Sequence, residues 1–267
     1  MPEGDTLHRA AIVLRGALAG QTVRAFRTPL PAVESAAQGL EGRTITAVEA
    51  HGKHLLIRFD DGRVLRTHMR MTGSWHHYRP GEAWRKPERR ARVVIETEER
   101  VAVCFSAPEV EMLSGESAVQ GGPVGRLGPD LLDPRVDLDE VVARWRSRPE
   151  LPIGVAVMRQ TLAAGIGNVY KSEVLFLCGI DPFARVGELE DEALHRVATT
   201  ARRLLRANLR TTMRTTRRDF GGERLWVYRK SGKPCAKCGT IIRMRRQGED
   251  GRSTYWCEGC QGSGDTA

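Results

Sequence analysis

The pattern that most constrains this 267-residue chain is Cys235-x2-Cys238-x18-Cys257-x2-Cys260. Each Cys-x2-Cys pair lets two thiolates reach one ion, and the long spacer can form a β-hairpin that brings both pairs together, as in a four-cysteine zinc site. Four thiolates complete a tetrahedron and leave no position open to water, so Zn2+ bound here holds structure and does no chemistry. A redox dithiol is the alternative reading. Cys104 and Cys178 lie in apolar strand-like and helix-like stretches and read as buried packing. No apolar run approaches the roughly 20 residues of a membrane span. The start Met1-Pro2-Glu3-Gly4-Asp5 lacks the basic-then-apolar order of a signal peptide. The expectation is a cytoplasmic chain with no membrane contact, in a reducing compartment where cysteines act as ligands or packing rather than disulfides.

Charge indicates the kind of partner. The chain is net +9, yet between Ala201 and Arg246 twelve Arg and three Lys face only Asp219 and Glu223, and the remainder is net acidic. Basic charge concentrated in this way suits a polyanion, either nucleic acid or an acidic membrane surface. A solvated basic face is the plain alternative. The spacer between the cysteine pairs carries Arg243, Arg245, Arg246 and Arg252, and arginines on a metal-held loop are suited to phosphate or base contacts.

The pattern along the chain divides in two. Leu7, Ala11, Leu14 and Leu18 share one face of a helix from Thr6 to Gly20. Strands follow at Thr44–Val48, then Leu55–Phe59 and Val64–His68 around the hairpin signal Asp61-Gly62, then Arg92–Thr97 and Arg100–Phe105 around Glu98-Glu99. Residues 1–120 therefore read as an antiparallel β-sandwich led by a helix. The Gly/Pro-dense stretch from Gln120 to Pro134 marks a linker over 121–136. A helical domain over 137–224 follows, with helices at Leu138–Arg146, Pro152–Thr161, Val169–Cys178 and Glu190–Leu209, and the cysteine region closes the chain over 225–267. The fold class is α+β. Gly165-Ile166-Gly167-Asn168 joins two of the helices, and the N–H groups opening the second make an anion site available, with Asn168 as a cap or phosphate donor; a plain packed helix pair is the alternative.

Several motifs occur in a fixed order: Met1-Pro2-Glu3-Gly4, Gly52-Lys53-His54-Leu55, His68-x-x-Met71-x-Gly73-Ser74-Trp75, Gly165-x-Gly167-Asn168, and the cysteine pairs with Gly251-Arg252-Ser253 before the third Cys. In this the chain resembles the family of formamidopyrimidine-DNA glycosylase and endonuclease VIII, which excise oxidised bases from DNA. The Met-Pro-Glu-Gly-Asp-Thr start looks closer to the endonuclease VIII branch, which favours oxidised pyrimidines and abasic sites. Many members carry Glu at the sixth position, where this chain has Asp5-Thr6, and that role is not carried over.

The resemblance implies a β-sandwich domain, a helical domain with a helix–two-turn–helix motif and a zinc finger, acting as a monomer on damaged double-stranded DNA. It implies removal of Met1, so that the Pro2 nitrogen attacks C1′ of the damaged nucleotide, the base departs and an imine forms. A terminal amine has a pKa near 7.7 to 8.0 against about 10.4 for Lys, so its neutral fraction is on the order of a few hundred times larger at neutral pH. Glu3 would protonate the opening sugar-ring oxygen; the imine acidifies the adjacent sugar proton, which permits β- and then δ-elimination. Lys53 matches the family lysine at the phosphate beside the lesion, and Asn168 and Arg252 match two further phosphate ligands. Met71 matches a residue that fills the void left by the flipped base; ordinary core packing is its alternative. Two other readings compete: an oxidised-purine glycosylase of the same family, and a non-catalytic zinc-finger DNA-binding protein, which would have no need of Pro2, Glu3 or Lys53.

Overall fold

The computed structural model describes residues 2–217 and 222–262, and the chain divides into two compact units, 1–126 and 127–267. Met1, and with it the expected cleavage, lies outside the described residues.

The first unit contains α1 (Gly4–Leu18), β1 (Ala25–Arg27), α2 (Pro31–Ala36), β2 (Ile45–His51), β3 (His54–Phe59), β4 (Arg63–His68), β5 (Ser74–Tyr78), β6 (Ala91–Glu96), β7 (Val101–Phe105), β8 (Glu109–Ser114) and α3 (Glu116–Gly121). Two antiparallel four-stranded sheets form, in the orders β2-β3-β4-β8 and β1-β6-β7-β5. Alternating side chains from both, such as Val48, Leu55, Ile57 and Leu65 with Val93, Ile95, Ala102 and Cys104, join Leu7, Leu14 and Leu18 of α1 in one core. Each fully buried Leu or Ile contributes about 1.5–3 kcal/mol over its exposed state. Burial pushes the Cys104 thiol up, which suits the packing expected of it. The expected β-sandwich is present. Helix α1 begins two residues earlier than its apolar spacing indicates, because Glu3 takes the N-cap with extended backbone (φ −128°, ψ −173°).

The second unit contains α4 (Leu138–Arg146), α5 (Ile153–Ala156), α6 (Asn168–Cys178), α7 (Asp191–Ala207), β9 (Ile242–Gln247), β10 (Arg252–Cys257) and α8 (Glu258–Gln261). Its helical core gathers Val141, Trp145, Ile153, Tyr170, Val174, Leu175, Leu194, Val197 and Leu204. Leu131 and Leu132, inside the stretch read as a linker, belong to that core as well, so the Gly/Pro content there shapes turns on a packed segment. Cys178 is half-buried at the same core's margin.

The helix expected over Pro152–Thr161 is one turn long. Within that turn, a Cβ on Gly154 would lie 2.9 Å from Pro182 O, so the helix start is pressed against neighbouring backbone. Gln160 then holds the chain in a different path, its Nε2 donating to Met158 O (2.7 Å) and Ile166 O (2.9 Å) while its Oε1 accepts from Gly165 N (3.1 Å). That brace shapes the glycine turn, where Gly165 has φ +113°, before α6 starts.

Candidate functional site

In the first unit the candidate residues gather at one end. Arg15 Nε of α1 donates to Val48 O of β2 at 2.9 Å, and Gly20 N donates to Ile45 O at 2.8 Å, so helix and strand run in opposite directions. Twelve residues back from Arg15 to Glu3 cover about 18 Å. Three residues onward from Val48 to His51 cover about 10 Å, and the turn at Gly52-Lys53 lies just beyond them. Glu3 and Lys53 therefore lie at the same end of the sheet, although widely separated in sequence. Glu3 is fully buried at the helix N-terminus, with its N–H facing Thr6 Oγ1 at 3.5 Å, and Pro2 beside it is half-buried. Lys53 occupies the two-residue turn between β2 and β3, where Gly52 (φ +56°) supplies the left-handed conformation that such a turn needs at its first position.

Beside Lys53, His54 and His68 pair across β3 and β4, and His68 pairs with Glu109 of β8. Arg66, almost fully buried, donates to His54 Nδ1 at 2.8 Å and to Glu111 Oε2 at 2.9 Å. Burial, with His68 and Arg66 adding to it, pushes His54 down to about 3. Burial also lowers His68, and the nearby Arg70 and Lys53 cations add to that effect against Glu109. Both imidazoles are neutral at pH 7. The strand is followed by a tight loop closed by Gly73 N donating to Met69 O at 2.8 Å. A Cβ on Gly73 would lie 2.8 Å from the Met69 backbone, so only glycine fits there. Met69 is buried beneath the loop, whereas Met71 at its tip is 61% exposed, which removes core packing as its role.

In the second unit Asn168 and Arg252 come together. Asn168 opens α6 after an N-cap at Gly167, and its Nδ2 donates to Ser253 Oγ at 3.2 Å, one residue from Arg252. Arg252 is partly exposed and loosely paired with Asp250 at 3.5 Å. Sequence reasoning missed the polar groups that hold this arrangement. Lys171, 1% exposed, donates from Nζ to Thr254 Oγ1 (2.7 Å) and Ser253 O (3.3 Å). Fully buried Glu173 accepts from the backbone N–H groups of Trp226 (2.8 Å), Val227 (2.9 Å) and Tyr228 (2.8 Å) and from Thr216 Oγ1. Gln261 links Cys257 N to Ile180 O. The signal for these was present in the sequence: a Lys and a Glu within a segment otherwise apolar enough to be buried on every side.

The cysteine cluster has the geometry its spacing indicates. Strands β9 and β10 form the hairpin, with Cys257 opposite Ile242, and all four Sγ atoms lie within 4.8 Å of one another. The separations are 3.4 Å for Cys238–Cys257, 3.5 Å for Cys238–Cys260 and 3.9 Å for Cys235–Cys260. Tetrahedral zinc with bonds of about 2.3 Å requires sulfur separations near 3.8 Å, so the donor set fits the ion. On the hairpin, Arg245 stacks on Phe183 (3.7 Å to the ring centre) and Arg246 ties the turn through Gly251 O at 3.1 Å.

Residues 1–109 match the formamidopyrimidine-DNA glycosylase N-terminal domain, residues 127–219 the H2TH domain of the same glycosylase, and residues 232–262 the zinc finger found in FPG and IleRS. The chain belongs to the formamidopyrimidine-DNA glycosylase and endonuclease VIII family. As a member it is a bifunctional DNA glycosylase and abasic-site lyase of DNA repair, on the endonuclease VIII side. It is 42% identical to the probable endonuclease 8 2 of Streptomyces coelicolor, covering 98% of this chain and 94% of that protein. It is 38% identical to the DNA-(apurinic or apyrimidinic site) lyase Nei2 of Mycolicibacterium smegmatis, covering 98% and 99%. Against a crystal structure of Lactococcus lactis formamidopyrimidine-DNA glycosylase bound to DNA containing an abasic site, the TM-score is 0.82 over 98% of this chain and all of that one. At 22% identity that likeness speaks for the fold of this family member.

Proposed function

We propose that this glycosylase and lyase acts in the cytoplasm, as a monomer, on damaged double-stranded DNA, and removes oxidised pyrimidines in preference to oxidised purines. The observation that carries the catalytic part is the convergence of Glu3, with Pro2 beside it, and Lys53 at one end of the sandwich. With Met1 removed, the Pro2 nitrogen lone pair attacks C1′ and the bond from C1′ to the base breaks. Glu3 delivers a proton to the ring oxygen, and the resulting iminium makes the 2′ proton acidic. Loss of that proton expels the 3′ phosphate, and a second elimination expels the 5′ phosphate. A buried carboxyl group beside Pro2 suits the donor role, being fixed in position and shielded from bulk water.

Lys53 binds the phosphate beside the lesion. Asn168 and Arg252, joined through Ser253, bind two more, and Met71 enters the stack where the nucleotide leaves. One structural Zn2+ per chain is held by Cys235, Cys238, Cys257 and Cys260. The pyrimidine preference is supported by the similarity to proteins named endonuclease 8 and by the Asp5-Thr6 start.

Borohydride reduction of the reaction with an abasic duplex tests the nucleophile. The native chain should yield a covalent adduct, and a chain extended at its N-terminus, whose Pro2 nitrogen is an amide, should yield none. Undiminished trapping by the extended chain would refute the assignment. Duplexes carrying thymine glycol or 8-oxoguanine then read the preference, and faster release of 8-oxoguanine would reverse it.

A further inference from the structure

The outer face of the sheet β1-β6-β7-β5 carries a polar cluster that none of these roles uses. Ser74, His76 and Tyr78 share one face of the edge strand β5, opposite Phe105, Val103 and Val101. Residues 79–90 fold back over that face. Trp84 packs 6.3 Å from Tyr78 and edge-on to Phe105 at 5.8 Å, and Arg85 N donates to Tyr78 Oη at 3.1 Å. This return path brings Lys86 to the first residue of the strand, where Nζ donates to Ser74 Oγ at 2.7 Å. The same oxygen lies 3.1 Å from His76 Nε2. Burial, followed by the Lys86 and Arg85 charges, lowers His76 and leaves it neutral.

The charge on this segment is unbalanced. It holds Arg79, Arg85, Lys86, Arg89 and Arg90 against Glu82 and Glu88. None of the five cations forms an ion pair among the described residues. Glu82 instead accepts from the Arg79 backbone N–H at 2.9 Å. Lys86 and Arg85, without ion-pair partners and beside a fixed hydroxyl and a neutral imidazole, favour an oxyanion with two or more free acceptor oxygens. The location narrows the choice. Ser74 is three residues from the exposed tip of Met71, a reach of at most about 10 Å, the scale that separates a base in the stack from its own backbone.

We propose that Lys86, Ser74 and His76, with Arg85 beside them, form a binding site for a DNA phosphodiester next to the Met71 loop, in addition to Lys53, Asn168 and Arg252. The site rests on the reading of Met71 as the inserted residue. Lys86 supplies the charge, Ser74 fixes the ammonium above the strand, and His76 offers a neutral N–H that needs no proton uptake.

The test measures affinity of the full-length protein for a duplex with a tetrahydrofuran abasic analogue across a range of salt concentrations. Loss of one phosphate contact lowers the slope of log K against log salt by about 0.9. Lys86→Gln should show that reduction and Lys86→Arg should restore most of it. Arg24→Gln, at the other end of the same sheet and paired with Glu98, should keep the native slope. A scan of neutral methylphosphonates near the lesion should find one position where the native protein weakens and Lys86→Gln does not weaken further. Equal slopes for native and Lys86→Gln protein, an equal reduction in Arg24→Gln, or no such position would each overturn the proposal. If Lys86→Gln lost polyglutamate binding while its DNA slope stayed native, the patch would belong to an acidic protein partner instead. A native protein that neither binds nor cleaves abasic DNA would refute the functional reading itself; a fully active one with an unchanged Lys86→Gln slope refutes only this site.

Discussion

Replacing Glu173 by Ala should loosen the segment that leads from the helical domain into the finger. The carboxylate accepts three backbone N–H bonds, from Trp226, Val227 and Tyr228. Removing the acceptor leaves those donors without a partner, at about 1–3 kcal/mol for each buried group. Val227 is fully buried and its two neighbours are half-buried, so about 2 kcal/mol for the first and about 1 for each of the others is reasonable, near 4 kcal/mol in all. At about 1.4 kcal/mol per decade this is on the order of a thousandfold in the local opening equilibrium. Native-state hydrogen exchange at the amides of 226–228 reads it directly, with amides of the first unit as an internal reference. Glu173→Gln keeps one acceptor oxygen and should lose roughly half as much protection. If both variants exchanged within a factor of three of the native protein, the N–H groups would have other partners and the reasoning would fail.

Two further outcomes follow from the same geometry. Chelation, or Cys257→Ser, should release one zinc per chain, strip exchange protection from residues 232–262 and abolish DNA binding; retained protection after quantitative metal removal would exclude a structural ion. The depressed His54 binds no proton in the folded state above about pH 3 but does so in the unfolded state below about 6.5. Its contribution to stability is therefore complete above pH 6.5 and is lost as the pH falls toward 3. His68 acts in the same direction. Urea midpoints measured across that range should fall with pH, and His54→Gln, which retains an acceptor for Arg66, should flatten the fall; an unchanged slope in the variant would place the proton uptake elsewhere.

The elements read correctly from sequence are those whose signal is local. The hairpin around Asp61-Gly62 carries its own turn chemistry, the strands flanking Glu98-Glu99 are each apolar enough to be read by themselves, and α1 carries its own periodicity. Strands β5 and β8 fall outside the expected set: Ser-Trp-His-His-Tyr lacks apolar alternation, and the alternation of Glu-Val-Glu-Met in β8 is only four residues long and carries two carboxylates. In β8 the two glutamates are accommodated by Arg66 and Arg70 from neighbouring segments. The long helix expected from Pro152 stops early because the Gln160 side chain bonds the backbone of Met158, Gly165 and Ile166 and so holds the chain in a turn that periodicity does not register.

The sequence by itself carried the four-cysteine pattern, the Asp61-Gly62 hairpin, the charge bias that suits a polyanion, and the ordered motifs through which the family resemblance points to Pro2, Glu3 and Lys53. The cysteine pattern and the hairpin depend on residue type at a fixed short spacing, and covalent geometry enforces short spacings whatever the rest of the chain does. Only the tertiary structure decided that Glu3 shares an end of the sheet with Lys53, that Met71 is exposed while Met69 is buried, and that Lys171 and Glu173 are buried supports rather than solvent-facing charges. Their partners lie 43 to 83 residues away, and whether a polar side chain meets water or a distant backbone is settled by packing, which the residue's own neighbours in sequence do not encode.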